Sequence, residues 1–203
     1  MTDTNSQRAR RPRRLLRRIA IVVGVLVAAL ILSVVGMTLA FNVERPGDVR
    51  AMNEGGAAGK ALIVYHPGGS DFQETANTAF AEGLVDAGWE VHITTASSQA
   101  PADLSSYDLL VLGSPVYSGA PAKPVKTYLE RLGDLAGKPT VAILSAGGNT
   151  VEAEVVTRTL IEEANGDIVK LLVLWTFAPN EEMYGISDPA EIMKREASQL
   201  PLP

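Results

Sequence analysis

Two hydrophobic patterns divide the chain. Residues 19–41 run for twenty-three positions without a charge, whereas from Ala61 onward short apolar runs alternate with amphipathic stretches. At about 1.5 Å rise per residue, the first pattern predicts one helix long enough to cross a hydrocarbon core of roughly 30 Å. The second predicts a parallel sheet covered by helices on both faces. Five strands are expected, at 61–65, 89–95, 107–113, 139–145 and 168–176. Leu62-Ile63-Val64, Leu109-Leu110-Val111-Leu112 and Val141-Ala142-Ile143-Leu144 are continuously apolar, as strands buried on both faces should be. The second strand alternates Val91 and Ile93 with Glu90, His92 and Thr94, which suits an edge.

Helical stripes fill the intervals. Phe72, Ala76, Ala79, Phe80, Gly83, Leu84 and Ala87 share one face; Val125, Tyr128, Leu129 and Leu132 repeat the spacing, and Val151, Val155, Leu160 and Ala164 do so less cleanly. The last helix starts legibly, with Asp188 as N-cap, Pro189 at the first helical position and Glu191 three residues after the cap. Five strands with the second at an edge match a doubly wound α/β sheet in the order 2-1-3-4-5, preceded by one transmembrane helix.

Seven arginines (Arg8, Arg10, Arg11, Arg13, Arg14, Arg17 and Arg18) precede the apolar run. A positive flank stays on the cytoplasmic side, so the expectation is a single-pass cell-membrane protein with a cytoplasmic N-terminus and an extracytoplasmic domain. A cleaved secretory signal is the rival reading, with Thr38-Leu39-Ala40 as a small-residue cleavage site, although its apolar core would be unusually long. A twin-arginine export signal is a weaker rival. The expected organisation is a basic tail at 1–18, the membrane helix at 19–41, a flexible Gly- and Pro-containing linker at 42–60, and one domain at 61–203.

Charge is unevenly distributed. Residues 1–18 carry a net charge of +6, residues 42–60 none, and residues 61–203 carry 8 basic and 19 acidic side chains. An acidic domain argues against a nucleic-acid partner and permits docking to a basic protein. The chain has no cysteine, which excludes disulfides, a catalytic thiol and thiolate-held iron–sulfur clusters. Only His66 and His92 offer imidazoles, so no metal site is expected.

A ligand of such a sheet binds beyond the carboxyl ends of the strands, at the switch between the first and third. Three loops reach that place: 66–73, 114–120 and 146–150. ALIVYH at 61–66, ETANTAFAEGLVDAGWEV at 74–91, YDLLVLGSPVYSGAPAKPVKTYLERL at 107–132 and KPTVAILSAGG at 138–148 resemble the flavodoxin family, over about 61–200. The resemblance implies a flavodoxin-like fold, non-covalent FMN and electron transfer, or NAD(P)H-dependent quinone reduction in some branches, with a redox protein or quinone as partner. Ser114, Pro115, Val116, Tyr117, Ser118 and Gly119 correspond to the loop that wraps the flavin ring. Their own chemistry agrees: hydroxyls and glycine-freed amides suit flavin heteroatoms, and Tyr117 offers a stacking face. The alternative is a turn with Tyr117 packed on a helix.

The first loop departs from the family's T-x-T-G-x-T pattern, keeping only Ser70 as a hydroxyl. Gly68 and Gly69 admit close approach of an oxyanion, to which Ser70 or His66 can donate. Asp71 opposes an anion there, and Ser70 with Gln73 or Asp71 with Glu74 can instead form a capping box. In the third loop Gly147, Gly148 and Asn149 can reach the ring edge, or Asn149 or Thr150 can cap the next helix. Trp175, Phe177 and Tyr184 lie at or beyond the fifth strand, where packing is expected and a ring for the flavin is the alternative. His92 is expected to be solvated. No residue need act as acid, base or nucleophile. A cofactor-free domain that binds another protein through its acidic face is the competing function.

Overall fold

The computed structural model describes residues 10–177 and 180–200; the start of the basic tail, with Arg8, lies outside the described residues. The chain forms two compact units, Met1–Phe41 and Asn42–Pro203. The first is helix α1, Arg10–Phe41. Its segment Leu15–Gly36 is long and apolar enough to cross a membrane, and none of it is buried by protein. Leu15, Leu26 and Leu32 are among its exposed apolar side chains.

The second unit contains, in order, β1 (Arg50–Met52), β2 (Lys60–Tyr65), α2 (Phe72–Asp86), β3 (Glu90–Thr95), β4 (Leu109–Tyr117), β5 (Ala120–Pro121), α3 (Lys123–Leu132), β6 (Pro139–Ala146), α4 (Val151–Glu163), β7 (Asp167–Trp175), α5 (Glu181–Tyr184) and α6 (Pro189–Ser198). The five expected strands are all present as the parallel series β3-β2-β4-β6-β7, in the expected 2-1-3-4-5 order. Alternation along β2 divides the core between the two faces. Ala61, Ile63 and Tyr65 join the cluster containing Phe80 and Leu84 of α2 and Ile192 and Met193 of α6. Leu62 and Val64 join Val125, Tyr128 and Leu129 of α3 and Ile161 of α4.

Seven strands form among the described residues instead of five. Inside the segment expected to be a flexible linker, β1 pairs antiparallel with β3, Arg50 opposite Ile93 and Met52 opposite Val91. Strand β3 is therefore not the edge. Its polar alternation has another cause: His92 is tied to Tyr107 Oη (2.9 Å) and to Glu90 (3.2 Å), and so is not simply solvated. The other additional strand arises because β4 continues through Tyr117 and folds back as β5. Ser118 and Gly119 adopt φ of 51° and 74°, the paired positive values of a tight hairpin turn.

Helices α2 and α6 pack closely because Gly83 faces the backbone of α6. A Cβ there would run into the carbonyl of Lys194 and approach Ala197 Cβ to 2.8 Å. At the start of α6, Asp188 Oδ1 accepts from Ala190 N–H at 3.0 Å, as its N-cap position predicts. Glu196 on the same helix meets Lys170 of β7 and, at 3.2 Å, Arg195. Burial opposes its ionisation, but Lys170 and Arg195 together hold its carboxyl below the ordinary value of 4.5.

Gly83→Ala would gain about 1 kcal/mol of helix propensity at an exposed position. Here the collision with α6 reverses the sign, and a net loss of about 1–3 kcal/mol is expected by denaturant unfolding of the full chain. Glu196→Gln should cost about 1 kcal/mol at neutral pH. A carboxyl whose value is lowered on folding stabilises above its unfolded value and loses that contribution as pH falls through the folded one. The melting temperatures of the two proteins should therefore converge as pH drops below 4.5.

Candidate functional site

The parallel register brings the carboxyl ends of β2, β4 and β6 side by side, with Tyr65 opposite Gly113 and Pro115 opposite Ser145. Two hydrogen bonds extend the ladder into the loops: His66 N–H donates to Gly113 O (2.9 Å) and Thr176 N–H to Ala146 O (2.8 Å). The three loops singled out by sequence thus meet at one end of the sheet.

In the first loop Gly68 takes φ of 73°, and a Cβ on it would lie 3.1 Å from Tyr117 Oη and 3.2 Å from Pro115 Cγ. Gly69, Ser70 and Asp71 are exposed. His66, expected to donate to an oxyanion, is fully buried. Neither capping box forms: Asp71 holds the N-cap position of α2 without a side-chain cap bond. Gln73 turns inward instead, its Nε2 donating to Ser145 Oγ at 2.9 Å, while Asn77 Nδ2 donates to Gln73 Oε1 at 2.6 Å. Gly113 is required beneath this pair because a Cβ would strike the Asn77 amide.

The second loop is a hairpin more than a wrap. Ser114 was expected to reach flavin heteroatoms, but it is buried, its Oγ donating to Pro115 O (2.9 Å) and accepting from Ala122 N–H (2.7 Å). It staples the hairpin base. Pro115 is buried and Val116 partly buried against Leu144 and Ala153. Ser118 at the tip is exposed. Gly119 accommodates Glu152 from α4, whose Oε2 would lie 2.5 Å from a Cβ at that position. Tyr117 reaches across to the first loop, where its hydroxyl lies 3.1 Å from the position of a Cβ on Gly68. Burial pushes the Tyr117 phenol up, while Arg45 and the Gly69 amide pull the other way.

The third loop is open at Gly148, where a Cβ would meet nothing within 4 Å. Asn149 takes the turn role, its Oδ1 accepting from Val151 N–H at 3.0 Å, and Thr150 Oγ1 donates to Glu154 Oε1 at 2.7 Å. Of the three aromatics near β7, two pack. Trp175 joins the Leu144 cluster, and Tyr184 Oη donates to Val173 O at 2.9 Å. Phe177 is different: it is 90 % exposed, and its ring edge would lie 2.9 Å from a Cβ on Gly147. A free aromatic surface therefore stands over the third loop.

The main addition comes from the segment read as linker. Asn42 Oδ1 accepts from Lys123 N–H (2.9 Å), capping α3 from outside. Glu44 accepts from Ser98 N–H (3.0 Å), Arg45 O from Thr95 Oγ1 (2.6 Å) and Gly47 O from Thr94 Oγ1 (2.9 Å). These bonds strap residues 42–47 along the carboxyl end of β3. Arg45 then extends to the first loop, its Nη1 donating to Gly68 O at 2.6 Å. Its neighbours Pro46 and Gly47 signal a turn, and no periodicity in the segment marks Arg45 as part of a site.

No protein-family profile matches the sequence, and no curated protein matches it either. Similar solved structures do exist. A flavodoxin from the domain Archaea has a TM-score of 0.55 at 18 % identity, covering 68 % of this chain and 94 % of that one. The flavodoxin of Megasphaera elsdenii has a TM-score of 0.55 at 19 % identity, covering 68 % and 98 %. An azoreductase from Bacillus anthracis has a TM-score of 0.53 at 14 % identity, covering 70 % and 99 %. At such identities the likeness is one of fold, and the sheet-containing unit has a flavodoxin-like fold.

Proposed function

We propose that the chain is a membrane-anchored flavodoxin-like protein that binds FMN non-covalently and acts in electron transfer. Residues 19–41 would hold it in the membrane with the N-terminus cytoplasmic and the domain outside. The observation that carries the reading is the convergence, at one end of the parallel sheet, of glycine-opened loops, an arginine at the first loop and an exposed aromatic at the third. These residues fit FMN. Gly68 and Gly69 admit close approach of an oxyanion, and Arg45 and Ser70 supply charge and a hydroxyl for phosphate. Phe177 and the 117–119 turn offer a stacking face and exposed backbone for a planar heterocycle.

Bound FMN supplies one- and two-electron transfer chemistry. The protein's part is to bind and orient it. Phe177 would cover a ring face, Gly147 and Gly148 would allow the ring edge close to the backbone, and the Ser118-Gly119 turn would present amides. Glu152, against Gly119, adds negative charge beside that turn. The acidic surface of the domain suits a basic redox partner, while a quinone is the small-molecule alternative.

Full-length protein in detergent, mixed with FMN and freed of unbound ligand by gel filtration, is expected to retain a nearly stoichiometric flavin absorption band. A folded protein that remains colourless would overturn the reading and leave a protein-binding domain. Oxidation of NAD(P)H by the loaded protein would place it with the quinone reductases. Phe177→Ala should weaken FMN binding by about 3- to 10-fold in a fluorescence-quenching titration. Its melting temperature should stay nearly unchanged, because the ring is exposed.

A further inference from the structure

The first loop keeps only Ser70 of the hydroxyls in the flavodoxin phosphate pattern, and it presents Asp71 at the start of α2. A cation would offset the charge of Asp71 against a phosphate monoester there, and the loop contains no Lys or Arg. Resting on the FMN reading, we propose that Arg45 of the strap is the phosphate-binding residue, a membrane-proximal segment thereby completing the cofactor site.

Three observations support this assignment. Arg45 is fixed on the loop, since its Nη1 donates to Gly68 O at 2.6 Å and its own carbonyl accepts from Thr95 Oγ1 at 2.6 Å. One contact uses one of the five guanidinium donors, leaving most of the fork for an oxyanion. The Tyr117 hydroxyl lies against Gly68, 3.1 Å from the position of a Cβ there, and Arg45 holds the carbonyl of the same residue. A phosphate oxygen that takes the place of the phenol would meet the same loop backbone within reach of the Arg45 charge. Finally, the side chains of Asn42 and Glu44 and the carbonyls of Arg45 and Gly47 anchor the strap to α3 and to the end of β3. Little backbone ordering is left to be lost when the ligand binds.

Riboflavin, which has the same ring without phosphate, separates this inference from the reading beneath it. Binding of FMN and riboflavin is measured by fluorescence quenching on full-length protein in detergent, for wild type, Arg45→Gln, Arg45→Lys and Arg50→Gln. Arg50 lies on the same segment, but it donates to Thr78 Oγ1 of α2 and not to the loop, so its variant controls for loosening of the strap. Wild type should prefer FMN. Arg45→Gln should lose about 10- to 100-fold in FMN affinity, with riboflavin affinity changed less than about 2-fold; Arg45→Lys should recover part of the loss, and Arg50→Gln should behave as wild type. A preference for FMN that survives Arg45→Gln would overturn the inference while leaving the FMN reading intact. Equal loss of both flavins in Arg45→Gln, or equal binding of both by wild type, would also overturn it. Failure of wild type to bind either flavin would remove both proposals.

Discussion

The arrangement depends on how the first turn of α2 is fastened to the sheet. Gln73 and Asn77 are buried and polar, and their amide nitrogens find partners inside the protein, Asn77 Nδ2 on Gln73 and Gln73 Nε2 on Ser145 of β6, while Asn77 Oδ1 has no partner among the described residues. A buried amide without a partner costs about 1–3 kcal/mol, so this chain of bonds is strongly constrained. It is possible only because Gly113 of the intervening strand has no side chain to obstruct Asn77. The helix start is thereby fixed relative to β4 and β6, and the loop that enters it, with its exposed amides, is fixed with it.

From that fixed point the three loops acquire different characters. The first is a bare backbone turn with an uncapped Asp71. The second is a stapled hairpin whose Tyr117 closes on the first. The third is an open glycine turn beneath Phe177. Positive charge comes from a residue outside all three. Arg45 reaches the first loop from the strap, so the segment between the apolar helix and the sheet is part of the domain's architecture as well as a connection.

Much of this was legible in the residue pattern. Continuous apolar runs found β2, β4 and β6, alternation found β3, and the Asp188-Pro189 start found α6, because each depends on local periodicity or capping chemistry. Glycine and proline placed the loops. The second strand's alternation was compatible with an edge, but alternation reports which faces are polar and says nothing about whether another strand pairs alongside. Ser114, His66 and Gln73 had the right chemistry for a surface role and proved to be buried, since burial of a polar group depends on partners far away in sequence.

The sequence by itself determined the fold class, the order of the parallel strands, the convergence of three loops at one end of the sheet and the existence of one apolar helix, because each follows from local periodicity and turn chemistry. Tertiary structure decided which side chains reach those loops. Phe177 is set over Gly147 by the register between β6 and β7, and Arg45 is set on Gly68, 23 residues away, by the hydrogen bonds of the strap. Neither contact leaves a local signature, because long-range pairing is governed by how elements pack and not by the composition of either partner.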